Sequence, residues 1–158
     1  MSVESLPRAG LIEDGAYLYP VRVYYEDTDA GGIVYHANYL RFAERARSEM
    51  LRRLGIEQGA MRARDGVMFA VRRCTVDFLA PARLDDDLTV ATRLVGVGAA
   101  TMDILQDVRL GDRELVRLKL LIACVGPAGR PARIPKPLRA ALEPLSATHL
   151  VTKEEHAR

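Results

Sequence analysis

VRVYYEDTDAGGIVYHANYLRFAERARSEML, residues 21–51, changes its hydrophobic period once, and that change decides the fold. Ahead of the break, in LYPVRVYY (18–25), Val21 and Val23 alternate with Arg22 and Tyr24, as a strand with one buried face does. Beyond it, Tyr39, Ala43, Ala46, Met50 and Leu54 recur at steps of three and four, the stripe of one long helix of about seventeen residues. Asn38 is suited to cap its start and Gly55 to close its end in the left-handed conformation. Arg41, Glu44, Arg45, Arg47, Arg52 and Arg53 are expected on the solvent side.

Downstream, a short polar helix fits residues 57–64, and beyond Asp65-Gly66 the period falls to two and stays there. In the first of four further strands Val67, Phe69 and Val71 have one parity and Cys74, Val76 and Phe78 the other, which predicts a β-bulge at Arg72-Arg73. Leu88, Val90, Thr92 and Leu94 form the inward row of the second strand, and Met102, Ile104, Val108 and Leu110 that of the third. Val116, Leu118, Leu120, Ile122 and Cys124 form that of the last. Short turns between consecutive strands imply an antiparallel meander, five strands in all with the first. One helix does not cover both faces of such a sheet, so it should lie in the concave side of a curved sheet whose open side or edge is shared with another subunit.

The division expected along the chain is a flexible leader over 1–16, a single α+β domain over 17–142 and a flexible tail over 143–158. A domain of this size suits a chain of 158 residues that is 49% apolar. A formal charge of +2 spread evenly gives no basis for nucleic-acid binding. Cys74 and Cys124 sit inside apolar runs without metal-ligand spacing and read as two reduced core thiols. The N-terminus lacks the apolar core of a secretory signal and no stretch has the length of a membrane span, so a cytoplasmic location is expected.

The chemistry concentrates in YYEDTDAGGIVYHANY, residues 24–39. A strand ends in Glu26, Asp27 and Asp29, passes Gly31 and Gly32, and delivers the chain to a helix start. The glycines allow unusual backbone angles and close approach of a ligand. Backbone N–H groups from Val34 through Tyr35 to His36, at the positive end of the helix dipole, can stabilise a carbonyl oxygen gaining negative charge. A carboxylate beside them, with Asp29 the best placed, can attack an acyl carbon or deprotonate a water that does. Each piece also has a plainer use, because an Asp in a turn often only satisfies backbone donors.

The run quoted at the outset resembles the N-terminal signature of the Tol-Pal-associated acyl-CoA thioesterases, which group with the 4-hydroxybenzoyl-CoA thioesterases of the hotdog fold. The resemblance implies a five-stranded antiparallel sheet wrapped around one long central helix, paired into homodimers or doubled to tetramers. It implies Asp29 as the catalytic carboxylate and His36 as the position whose main-chain N–H meets the thioester oxygen, with Tyr25 near enough in the motif to assist. Gly31, Gly32, Val34 and Tyr35 would line the thioester. No metal or cofactor is implied. Asp27 is read as a turn or ion-pair residue, and Glu44 and Glu49 as surface ion pairs. Arg130, Arg133 and Lys136 of the Pro-rich basic stretch 126–142 are candidates for the coenzyme A phosphates, from the same or a neighbouring subunit.

The activity expected is hydrolysis of a small acyl-CoA, short aliphatic or benzoyl-type, to free acid and coenzyme A. The alternative is a binding partner of acyl carrier protein or of phospholipid-synthesis enzymes with weak hydrolysis. A hydratase of the same fold acting on enoyl-CoA is disfavoured by the D-T-D-A-G-G run.

Overall fold

The structure, a computed structural model, describes residues 5–146. Strands β1 (Leu11–Glu13) and β2 (Ala16–Arg22) lead through a 3-10 turn (Tyr25–Asp27) to helix α1 (Asn38–Arg53) and the shorter α2 (Gln58–Asp65). The meander follows as β3 (Met68–Phe78), β4 (Asp87–Val97), β5 (Thr101–Leu110) and β6 (Arg113–Val125), and helix α3 (Lys136–Ser146) closes the described chain. All pairings are antiparallel, in the order β1-β2-β4-β5-β6-β3.

The sheet therefore has six strands, one more than the hydrophobic pattern predicts. The added strand, β1, lies within the stretch read as leader, and Asp14-Gly15 turns it into β2 with φ of 50° and 73°. Positive φ at both central residues is what a tight type I′ hairpin demands. At the other end α3 runs to Ser146 across the expected boundary at 142, burying Leu138, Leu142 and Leu145. The remainder of the expected tail, 147–158, lies outside the described residues.

Helix α1 carries Phe42, Ala43, Ala46 and Met50 onto the inner face of β2, β4 and β5, where Leu88, Val90, Leu94 and Val108 are buried. The inward row of β6 is buried from Val116 to Cys124, as alternation predicts. The register of β3 against β6 slips between Val71 and Arg73, where the parity change put the bulge. Gly55 takes φ of 81° just past α1, the left-handed cap expected of it.

Three local expectations are corrected. Asn38 does not cap α1; the cap position is Ala37, and Asn38 is the first helical residue, its amide turned back to donate to Asp27 O at 2.9 Å. The strand ends at Arg22 instead of Tyr25, because the Asp27 carboxylate accepts from Tyr24 N at 2.9 Å and curls the chain into the 3-10 turn. Cys124 is buried but Cys74 is exposed, since β3 is an edge strand with a neighbour on one side only.

Candidate active site

The loop between β2 and α1 is built by its own backbone. Thr28 and Val34 form an antiparallel bridge, Asp29 N donates to Ile33 O at 2.9 Å, and Gly32 N donates to Asp29 O at 3.0 Å. Gly32 has φ of 81° with open space around its Cα, so its requirement is conformational. Gly31 is needed for room: a Cβ there would stand 3.2 Å from Asp29 Oδ1. That oxygen accepts from Gly31 N at 2.8 Å and from Ile33 N at 3.4 Å. The carboxylate is thus oriented through Oδ1, while Oδ2 has no hydrogen-bond partner among the described residues and the side chain is exposed.

The same loop is pinned to α1 and to the segment after β3. Val34 N donates to Ala82 O and Tyr35 N to Asp27 O, both at 2.9 Å. Two of the three amides expected to meet a substrate oxygen are therefore already occupied. Among the described residues nothing accepts from His36 N, which leaves His36 the open donor of the three at the helix start. Asp27 serves the turn rather than an ion pair, its carbonyl taking both Tyr35 N and the Asn38 amide. The buried Tyr39 hydroxyl accepts from Ala82 N at 3.0 Å, and burial raises its pKa.

The His36 ring stands 4.5 Å from that of Tyr35, centroid to centroid, and meets Phe78 edge-on at 6.2 Å. Beside it opens a recess of about 300 Å³ lined by Ile33, Val34, His36, Tyr39, Phe78 and Pro81. The loop offers an oriented carboxylate and one free main-chain donor, chemistry that suits attack on a carbonyl carbon with the oxygen held by the amide, and His36 carries that donor to the wall of an apolar slot that Asp29 itself does not line. The sequence places Tyr39 in the helix stripe and Phe78 in a strand row and marks neither of them, nor Pro81, as a site residue; the signal available was an aromatic residue closing a bulged strand just before a proline.

The remaining candidates are placed elsewhere. Tyr25 is 83% exposed and its side chain does not line the recess. Arg133 O accepts from the Cys124 thiol and Ile134 N donates to Ala99 O, so the basic stretch, with Lys136 just beyond, sits at the Met68/Val125 end of the sheet. Phe78 pairs with Val116 at the opposite end of β3, ten residues from Met68 and on the order of 30 Å away. A single subunit does not bring Arg133 or Lys136 to Asp29. Of the two helix carboxylates, Glu49 pairs with Arg52, whereas Glu44 has no ion-pair partner among the described residues. No group of three metal-ligating side chains gathers among the described residues, and no described helix is long and apolar enough to cross a membrane.

Comparison with known proteins adds a second line of observation. Residues 23–142 match the family model described as the thioesterase-like superfamily. The chain is 44% identical over 126 residues to the acyl-CoA thioester hydrolase YbgC of Escherichia coli O6:H1, covering 78% of this chain and 93% of that one. It is 41% identical over 133 residues to the acyl-CoA thioesterase YbgC of Haemophilus influenzae, covering 84% and 98%. Among solved structures, a probable thioesterase from Bartonella henselae superposes with a TM-score of 0.73 at 37% identity, over 76% of this chain and 99% of that one.

Proposed function

The chain belongs to the thioesterase-like superfamily and is an acyl-CoA thioesterase, and from that premise we propose that Asp29 and the His36 amide form its reactive centre. The observation that carries this reading is the division of labour within one loop: Asp29 Oδ1 is held by Gly31 N while Oδ2 is free, and the His36 N–H is free where its neighbours' are occupied. The thioester carbonyl oxygen receives the His36 N–H, and the acyl chain enters the recess walled by Phe78 and Tyr39. Asp29 Oδ2 then takes a proton from water as the hydroxide adds to the carbonyl carbon, or adds to it directly to give a mixed anhydride that water opens. In either route negative charge collects on the carbonyl oxygen, the amide stabilises it, and its return expels the coenzyme A thiolate. Single turnover in isotopically labelled water separates the routes, because only the anhydride route can carry label into the Asp29 carboxylate.

The reading includes a homodimer. β3 is an eleven-residue edge strand, exposed along nearly its whole length, with Val71 and Phe78 half out of contact. β1 at the opposite edge has only three residues and is blunted by its length. Two copies paired along β3 continue one sheet, and Arg133 and Lys136 of one copy approach the recess of the other, where they meet the coenzyme A phosphates. A cytoplasmic location suits the two unpaired thiols. Asp29→Asn, assayed by thiol release from a panel of acyl-CoAs, tests the centre: a loss of at least ~100-fold with an unchanged melting temperature is expected. Full activity in that variant would sink it.

A further inference from the structure

The segment joining β3 to β4 backs the loop that carries Asp29, and one side chain of α1 fixes it in place. Ala82 is fully buried, and its N–H meets a single acceptor among the described residues, the Tyr39 hydroxyl at 3.0 Å. The carbonyl of Ala82 accepts from Val34 N at 2.9 Å, and the adjoining Arg83 forms a backbone bridge with Ile33. Val34 in turn bridges Thr28. Ile33 holds Asp29 twice, its carbonyl accepting from Asp29 N at 2.9 Å and its N–H donating to Asp29 Oδ1 at 3.4 Å. The His36 amide lies two residues beyond Val34 on the same backbone. Ile33 and Val34 are therefore the common reference for both halves of the reactive centre, and they are registered on Ala82. Tyr39, the second residue of α1, is buried with its ring tilted against Phe78 at 6.0 Å and edge-on to Phe42 at 6.1 Å, so its hydroxyl is held by packing on both sides. A phenylalanine would fill the apolar space equally well, and a buried hydroxyl is a cost unless its hydrogen bond has a use.

Resting on the reactive centre described above, we propose that Tyr39 is a positioning residue for the hydrolysis: acting through Ala82, its hydroxyl holds Ile33 and Val34 in the register that sets Asp29 Oδ2 and the His36 N–H on one thioester carbonyl. The two groups reach the substrate from different arms of the loop, Asp29 before the Gly31-Gly32 turn and His36 after it. The bridge between Thr28 and Val34 makes the arms a small hairpin, and adjacent residues of α1 fasten them separately. Asn38 holds the first arm by donating to Asp27 O, and Tyr39 holds the second through Ala82. The carboxylate has to address the carbonyl carbon while the amide holds the oxygen, and a misplacement of about 1 Å is enough to cost on the order of a hundredfold in rate. Without the Tyr39 oxygen the second arm keeps its bonds to Ala82 and Arg83, but that segment is no longer tied to the helix from which His36 emerges. Burial raises the pKa of the phenol, so the acceptor stays neutral while the enzyme works.

The test is Tyr39→Phe, which keeps the ring and the wall of the recess and removes one oxygen. On the acyl-CoA of the panel that the wild type cleaves fastest, kcat is expected to fall about tenfold with KM within about twofold. The buried Ala82 N–H, left without its acceptor, should also lower the melting temperature by a few degrees. Leu142→Ala, which empties a buried site on α3, supplies a variant at least as destabilised, and its kcat should match the wild type at a temperature where all the proteins are folded. Introduced into Asp29→Asn, Tyr39→Phe should cost at most about threefold, because one of the two groups it aligns is already gone. An unchanged kcat in Tyr39→Phe, an equal loss of kcat in Leu142→Ala, or the same tenfold loss in both backgrounds would each overturn the proposal while leaving the reactive centre intact. Full activity of Asp29→Asn would overturn the centre and the proposal together.

Discussion

The loop from Tyr25 to Ala37 and the sheet face beneath α1 are neighbours held together by opposite means. In the loop Asp29, Gly31 and His36 are exposed, and shape comes from backbone hydrogen bonds and one side-chain carboxylate turned onto Gly31 N. Beneath α1, Phe42, Ala43 and Ala46 are buried against Val90, Leu94 and Val108, and shape comes from volume. A change in the first region should therefore alter rate with little effect on stability, and a change in the second should do the reverse.

The largest effect belongs to the packed side. Phe42→Ala empties a fully buried aromatic site where α1 meets the sheet and is expected to cost about 3–5 kcal/mol in denaturant unfolding. The surviving folded fraction should keep kcat within a few-fold of wild type. A hundredfold drop in kcat from Phe42→Ala at full occupancy of the folded state would erase the distinction between the two regions. Asp29→Asn is the mirror case: its expected loss of ~100-fold in rate corresponds to about 2.7 kcal/mol at the transition state, with no change in urea midpoint.

Much of this contrast was legible before the fold. The stripe Tyr39, Ala43, Ala46, Met50 marks the packed face of α1, and the slip of parity at Arg72-Arg73 marks the bulge. Both signals are periodic, and burial on one face imposes periodicity. What escaped was local or tertiary. The Asp14-Gly15 hairpin is a two-residue signal followed by a three-residue strand, too short for a period to register. Arg47 lies four residues after Ala43 and three before Met50, so its spacing points inward while its charge points outward. The spacing prevailed because Gln106 offers a buried acceptor from a strand 59 positions away. The occupied amides of Val34 and Tyr35 were equally hidden: Ala82 O, which takes Val34 N, comes from beyond β3, and Asp27 O takes Tyr35 N only because the 3-10 turn folds the loop back on itself.

A smaller effect is expected where the two regions join. Asn38 heads α1, yet its amide donates into the loop at Asp27 O. Asn38→Ala should cost about 1 kcal/mol of stability, because Asp27 O keeps its bond from Tyr35 N and is not orphaned. The same substitution should lower kcat several-fold by loosening the backbone that carries Asp29, with KM less affected. If stability falls while kcat stays put, the hydrogen bond serves the helix alone and the join is not mechanical.

The smallest effect is expected at Tyr25, and it bounds the reactive region from outside. Its neighbours in sequence are essential to the turn: Thr28 Oγ1 and Thr28 N both donate to Tyr25 O, so the backbone at this position is fixed. The side chain is another matter. At 83% exposure the ring buries almost nothing, and its hydroxyl has no hydrogen-bond partner among the described residues. Tyr25→Phe removes only that hydroxyl and leaves the turn untouched, so kcat/KM should stay within about twofold of wild type and the unfolding midpoint should not move. A loss of tenfold or more would show that the hydroxyl reaches the thioester once substrate or the second subunit is in place. The reactive region would then begin before Asp27 and extend onto the exposed face of the 3-10 turn.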